Sequence, residues 1–287
     1  KRHAKILSNF KNISHIYIYS KQKNIPYLTL SDLNDIINID LDYVIIASTT
    51  NLHFDHLMFI DENLRNSKIL VEKPLFNFFK DYQPKNNSIF VGYNLRFHPV
   101  ISFIKDMVKD KSIWNVKVEC SSYLPDWRKN IDYSSSSSAL IKYGGGVLRD
   151  LSHEIDYASW LFGNFNIIYS DSQKISNLNI ETDDFLNLYA KNEILNIHIS
   201  LNYFSKIHRR IIYIDGEDFS LKGDLNKNSI HLIEKEKEQN FSWSNNDNNK
   251  TYEKMHKAII YGDDARVCTF SQGIDTMKII EFIGRNK

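Results

Sequence analysis

The chain of 287 residues has only two cysteines, Cys120 and Cys268, and they match neither a CxxC pair nor a Cys/His zinc spacing. That excludes a disulfide framework and a cysteine-based metal site, and points to a reduced, cytoplasmic setting. No apolar run approaches membrane-spanning length; short ones such as Tyr43–Ala47 suit buried strands. The opening Lys1-Arg2-His3-Ala4-Lys5-Ile6-Leu7 lacks the long apolar core of a signal peptide, so the Asn-x-Ser/Thr matches at Asn12, Asn240 and Asn249 carry no glycosylation reading. An excess of one charge sign is missing too. A formal net charge of +1 supplies no field to gather nucleic acid or an anionic membrane. What is present, 42% hydrophobic and 25% charged residues, is ordinary for a globular protein, and the length suffices for two domains.

The first third alternates short apolar runs with helical patterns, the mark of βαβ units and a parallel sheet. Strands are expected at 16–19, 43–47, 68–71 and 88–92, and helices from about Ser31 and from His53 to Arg65. Beyond Pro99 the period changes. Ile197, Ile199, Leu201 and Tyr203 alternate with Asn196, His198, Ser200 and Asn202, as in a sheet with one wetter face. Further strands are expected at 114–120, 185–190, 210–214 and 229–233, with Asp215-Gly216 as a turn and Ser134–Ser138 and Asn245–Lys250 as loops. The fold class is therefore α/β, a parallel-sheet domain followed by an α+β domain with a mainly antiparallel open sheet. A parallel nucleotide-binding sheet usually opens with a strand, a Gly-rich turn and a helix, yet this chain opens on the helix. Either a short preceding segment is missing from the sequence or the protein has lost its phosphate-cradling turn; the first reading is preferred.

Three segments carry residues suited to chemistry. Val71-Glu72-Lys73-Pro74 ends an expected parallel strand, where ligands of such sheets bind. Lys73 there can pass a proton to or from a carbinol oxygen, although an isolated Lys-Pro is more often a surface feature. Gly144-Gly145-Gly146 leads into an expected helix whose apolar stripe is Leu148, Leu151, Ile155, Ala158 and Phe162. Asp150, His153 and Tyr157 cluster on another face, so the Asp150 carboxylate can orient the His153 imidazole and stabilise its protonated form; an ordinary solvated face is the alternative. Gly92-Tyr93-Asn94-Leu95-Arg96-Phe97-His98-Pro99 marks a domain junction, and Arg96 either holds a substrate hydroxyl or phosphate or makes a structural salt bridge. His53, His56, His198 and His208 lack convergent ligand spacing, so no metal is expected.

In this order, the strand ending in Glu72-Lys73-Pro74, the Asn94-x-Arg96-Phe97 junction and the Gly-Gly-Gly helix with Asp150 and His153 resemble the Gfo/Idh/MocA family of nicotinamide-dependent sugar oxidoreductases. The resemblance covers essentially the whole chain. It implies a Rossmann-type dinucleotide-binding domain over residues 1–98, incomplete at its start, and a substrate and oligomerisation domain over 99–287. Arg2-His3 looks like the continuation of the family's Gly-rich turn, and Ala47-Ser48-Thr49-Thr50-Asn51-Leu52-His53 is similar to its second cofactor-facing loop, with Thr50 where Pro is usual. By resemblance Lys73 and His153 are the proton carriers, and Asp150 positions substrate or imidazole. Ser48, Thr49, Asn51, His53, Glu72 and Lys73 would meet the cofactor. The family more often sets its His four residues after the Asp, against three here, and the 74–88 stretch is shorter than usual, which predicts a reduced helix on that sheet face.

The residue ending the second strand usually separates NAD from NADP. Tyr19-Ser20-Lys21 offers a hydroxyl and a cation and no carboxylate, so Ser20 and Lys21 favour NADP over NAD. Trp127, Arg128 and Tyr133, within Leu124-Pro125-Asp126-Trp127-Arg128 and Asp132-Tyr133, resemble a substrate loop for a sugar or nucleotide sugar; a structural loop anchored by Trp127 is the alternative. The implied function is hydride transfer between a nicotinamide and a hydroxyl or keto carbon of a sugar, in a homo-oligomer. A non-catalytic sugar- or nucleotide-binding relative and an NAD-dependent glycosidase are the alternatives.

Overall fold

The computed structural model describes residues 1–22, 24–244, 249–262 and 264–285. A short helix, α1 (Arg2–Leu7), precedes strands β1 (Tyr17–Tyr19) and β2 (Leu28–Leu30), which pair in parallel as a separate two-stranded sheet. Where a helix was expected after Ser31, a 3₁₀ turn runs over Leu33–Asn38. Its cap is reciprocal: the Asp32 carboxylate accepts from Asn34 N, and Asp35 accepts from Asp32 N.

Three parallel strands follow, β3 (Tyr43–Ile46), β4 (Lys68–Val71) and β5 (Ser88–Val91), with helix α2 (His53–Asn63) between the first two. Ile69, Leu70 and Val71 are wholly buried, as a continuous apolar run should be when both faces of its sheet are covered.

No helix joins β4 to β5; residues 72–87 cross as an irregular strap. The strap is tied down by one carboxylate. Asp61 of α2 accepts hydrogen bonds from Tyr82 Oη (2.6 Å), Lys85 N (2.8 Å), Asn86 N (3.3 Å) and Asn87 Nδ2 (2.8 Å). Burial alone would raise the Asp61 pKa, but these donors together lower it below the ordinary carboxylate value. A carboxylate titrating lower in the folded than in the unfolded chain contributes stability above its unfolded pKa, and that stability is lost as pH falls through the folded value. Asp61→Asn should therefore weaken the fold at neutral pH by ~2 kcal/mol and flatten the acid limb of stability. Urea unfolding of both proteins at neutral and acidic pH checks this, and equal acid sensitivity would refute it.

Helix α3 (Pro99–Met107) starts on Pro99 with His98 as its cap, a position where the missing proline N–H costs nothing. After strand β6 (Ile113–Tyr123) come two helices, α4 (Val147–Asp150) and α5 (His153–Phe162). The rest of the large sheet is β7 (Asn166–Gln173), β8 (Phe185–Lys191), β9 (Asn196–Asn202), β10 (Phe204–Gly216), β11 (Phe219–Asp224), β12 (Ser229–Glu234) and β13 (Lys237–Ser242). Its order is β13-β12-β11-β10-β6-β9-β8-β7, antiparallel except where β6 runs parallel to β9. In β9 the expected alternation holds: Ile197, Ile199 and Leu201 are buried, while Asn196 is exposed and His198 and Ser200 are partly so.

The expected turn at Asp215-Gly216 lies two residues later, at Glu217-Asp218, with Asp218 at φ 61°. Asp tolerates that left-handed backbone. Gly216 stays in the strand for a different reason, since a Cβ there would stand 2.4 Å from Ser112 O.

The chain then returns to the first sheet through α6 (Asn249–Tyr261), β14 (Cys268–Thr269) and α7 (Phe270–Arg285). Of the Asn-rich stretch expected to be a loop, Asn249 and Lys250 open α6, and residues 245–248 lie outside the described residues. β14 pairs antiparallel with β5, and Met255, Ala258 and Ile259 of α6 pack against Leu70. Both cysteines are free and buried. No helix among the described residues is long and apolar enough to cross a membrane.

Candidate active site

Lys73 follows the last residues of β4, at the carboxyl ends of the parallel strands. Its ammonium donates to the main-chain carbonyl of Asp150 at 2.5 Å. The strand-end lysine and the Gly-Gly-Gly segment, far apart in sequence, therefore meet.

The glycines make that meeting possible. Gly146 sits at φ 114°, and a Cβ there would fall 2.5 Å from Asp183 Oδ1. Asp183 fastens the start of α4: its carbonyl accepts from Val147 N (3.0 Å) and its carboxylate from Leu148 N (2.9 Å). The single helix expected across this region is broken. Leu151 (φ −99°, ψ 27°) ends α4, and α5 starts afresh at His153.

That break corrects the expected Asp150–His153 pairing. The Asp150 carboxylate accepts from Tyr203 Oη at 2.6 Å. His153 is 8% exposed, and its Nδ1 has no hydrogen-bond partner. Burial, then the positive charges of Lys73 and Arg210, push its pKa well below the ordinary imidazole value. The imidazole is thus held neutral, opposite to the protonated form expected from a neighbouring carboxylate. Tyr93 packs its ring edge against His153, with centroids 5.5 Å apart, and beneath lies the Arg210–Glu154 pair at 2.8 Å.

Of the expected cofactor residues, Ser48, Thr49 and Asn51 lie just beyond β3, and Glu72 and Lys73 just beyond β4. Asn51 Oδ1 is buried without a hydrogen-bond partner, and buried Glu72 Oε1 is approached by His3 Nε2 at 3.0 Å without hydrogen-bond alignment. Buried polar atoms are rarely left so, and two acceptors at adjacent strand ends fit a ligand rich in N–H and O–H groups, such as a dinucleotide. His53 takes another role. It is 1% exposed, with Nδ1 3.0 Å from Pro74 O and Nε2 3.2 Å from Ser48 O, so it braces the two loops against each other. Ser20 and Lys21 are exposed beyond β1, and Ser20 Oγ accepts from Gln22 N.

Trp127, Arg128 and Tyr133 line one small crevice with Leu124, Ile131, Ser136 and Ser138. Trp127 donates through Nε1 to Ser122 Oγ (3.0 Å) and sets its ring edge-on to Tyr203, which joins this crevice to Asp150. Tyr203 is a residue that the sequence reading left out of the site. The available signal was a tyrosine on the buried parity of a strand, whose hydroxyl needs a partner inside. Arg96 does not join the others. It is 2% exposed, and its guanidinium is committed to Asp156 (3.0 and 2.7 Å) and Gln272 (2.7 Å), the structural alternative for this residue. A wide cleft between α1 and α6, lined by Lys5, Asn9, Lys257 and others, contains none of the expected site residues.

No protein-family model matches the chain, and no curated protein matches it in sequence. Solved structures do match in fold. The WlbA dehydrogenase from Bordetella pertussis, in complex with NADH and UDP-GlcNAcA, is 15% identical with a TM-score of 0.80, covering 99% of this chain and 91% of that one. A levoglucosan dehydrogenase in complex with NADH is 16% identical with a TM-score of 0.81 over the same shares, 99% and 91%. UDP-N-acetylglucosamine 3-dehydrogenase GnnA from Acidithiobacillus ferrooxidans is 13% identical with a TM-score of 0.76, covering 98% and 91%. The chain thus shares the fold of these dehydrogenases, a parallel-sheet α/β part joined to an open, mainly antiparallel sheet.

Proposed function

We propose that the protein is an NAD(P)-dependent oxidoreductase of the Gfo/Idh/MocA type, acting on a hydroxyl-bearing carbon of a sugar or nucleotide sugar. The observation that carries this reading is the convergence of Lys73 with residues 150–153, together with buried polar atoms of His153 and Asn51 that have no hydrogen-bond partner. The fold shared with sugar and UDP-sugar dehydrogenases supports it.

A bound nicotinamide supplies the acceptor for the hydride leaving the carbinol carbon. The neutral His153 imidazole takes the hydroxyl proton as the C–H bond breaks, leaving a carbonyl. The Lys73 ammonium, already turned toward residue 150, stabilises the oxygen as negative charge develops there. Asp150 is steadied by Tyr203, while Trp127, Arg128 and Tyr133 form a wall for the sugar or its nucleotide. Asn51 and Glu72 accept from the cofactor. Residues 1–98 are the cofactor-binding unit and 99–287 the substrate and assembly unit, with α6 and α7 folded back against the former. Ser20 and Lys21, exposed and without a neighbouring carboxylate in the Tyr19-Ser20-Lys21 run, favour NADP. The wetter face of the large sheet, bearing Lys117, Tyr189, His198 and Tyr213, pairs with a second copy, and the protein works in the cytoplasm.

A panel of sugars and nucleotide sugars, assayed by absorbance of reduced nicotinamide with each cofactor, tests the reading. Substrate-dependent reduction of cofactor is expected, with higher catalytic efficiency for NADP. Glycoside cleavage without net oxidation, or binding of sugar without turnover, would overturn the dehydrogenase reading in favour of a glycosidase or a non-catalytic relative.

A further inference from the structure

Beyond the Lys73–His153 site, polar groups from four separate segments lie in close succession, two hydrogen bonds followed by a charge contact. Tyr43 Oη, at the start of β3, lies 2.8 Å from His256 Nδ1 of α6. His256 Nε2 lies 2.9 Å from His3 Nδ1 of α1, and His3 Nε2 lies 3.0 Å from Glu72 Oε1. The last contact is an ion–dipole approach without good hydrogen-bond alignment. The other ionisable groups around His3 are Tyr252, whose ring stands edge-on to it at 5.4 Å, and Arg2, which lies over the Tyr252 ring.

The ends of this succession dictate its direction. The Glu72 carboxylate charge, 3.0 Å from His3 Nε2, favours the ring form that carries hydrogen on that nitrogen over the form with a lone pair there. With His3 neutral its Nδ1 is then an acceptor, and His256 must present Nε2–H to it. His256 is wholly buried and burial holds its pKa near about 3, so it has one N–H and its Nδ1 is bare. Tyr43, whose pKa burial raises well above the ordinary phenol value, keeps its proton and donates to that Nδ1. Each bond polarises the next. If His3 took a second proton, both inner bonds would have to reverse.

We propose that Tyr43, His256 and His3 form a one-way hydrogen-bond relay that positions Glu72, and with it the strand-end turn leading into Lys73, for binding the cofactor. The relay joins α1, α6 and the ends of two strands through a single carboxylate, and only its link to cofactor binding rests on the proposed function. His3, His256 and Tyr43 act as positioning residues, since none of them needs to touch a reacting atom.

The tautomers decide the matter. In the full chain with ¹⁵N-labelled histidine, long-range ¹H–¹⁵N correlation at about pH 8 should show both His3 and His256 protonated at Nε2. A proton on His256 Nδ1 would overturn the relay. Glu72→Gln removes the charge that selects the direction, because an amide can meet either ring form; mixed tautomers at His256 are expected, and an unchanged tautomer contradicts the proposal. Tyr43→Phe deletes one hydroxyl from the far end. It should raise the KM for the nicotinamide cofactor roughly fivefold, the equivalent of one net hydrogen bond, with kcat within about twofold. A lowered thermal midpoint with KM unmoved would reduce these residues to packing and refute the positioning role. A protein showing the expected tautomers but binding no nicotinamide would sink the proposed function and leave the relay standing.

Discussion

Lys73→Met and His153→Ala should each lower turnover by about a hundredfold or more while cofactor binding stays measurable. The size follows from the geometry. The ammonium of residue 73 is turned toward residue 150, and the neighbouring imidazole is kept neutral chiefly by burial, so in the proposed reaction each substitution would remove a contribution to moving the hydroxyl proton. Met preserves the length of the lysine stem, which confines the change to the charge. The two effects should not add, since groups acting as a unit lose most of their benefit when either is removed. Steady-state kinetics of both single variants and the double variant, with cofactor affinity measured by fluorescence, provide the check. Near-normal rates in both single variants would end the assignment of these residues.

Arg96→Met should cost ~3–5 kcal/mol of folding stability, more than Asp61→Asn. Arg96 comes from the segment before α3, Asp156 from α5 and Gln272 from α7, so one guanidinium joins three elements. Both members of the ion pair are 2% exposed at their side chains. The Asp156 carboxylate holds Arg96 firmly charged, and removing the cation leaves that carboxylate buried with, among the described residues, the Cys268 thiol 3.7 Å away as a weak donor. The companion Arg96→Met/Asp156→Leu protein should recover much of the loss, because an apolar pair leaves no uncompensated charge. Chemical denaturation of the three proteins measures this, and a double variant as unstable as Arg96→Met would show that packing rather than charge is the cause.

The parallel strands were the most legible part of the sequence. Ile69–Val71 is an apolar run ended by Glu72-Lys73-Pro74, and strand β4 has the expected bounds, Lys68–Val71. The period-two stretch around Ile199 was equally plain, because one face of its sheet is buried. Edge strands were harder to see. β13 is Lys-Glu-Gln-Asn-Phe-Ser and mostly exposed, so no alternation marks it. The meeting of Lys73 with residue 150 could be anticipated from strand-end geometry together with a family resemblance. Its details could not. Periodicity assumed one helix through Asp150 and His153, whereas the chain bends at Leu151 and Ser152, which sends the Asp150 carboxylate to Tyr203. For Arg96 the sequence suggested a substrate-binding role with a structural salt bridge as the alternative, and a partner 60 residues away, Asp156, decides for the salt bridge.

The pairing of β14 with β5 has a consequence for how the protein comes into being. Val91 pairs with Val71 on one side, but its other side is filled only when Cys268 has been synthesised, and α7 follows β14 directly. During translation this edge of β5 therefore stays bare until the whole antiparallel sheet has been made, and an unpaired strand edge is a template for association with other chains. Completion of the parallel-strand sheet waits until residue 268 has emerged from the ribosome. A nascent chain stalled before residue 268 would expose that edge to chaperones, however well its N-terminal half had already collapsed.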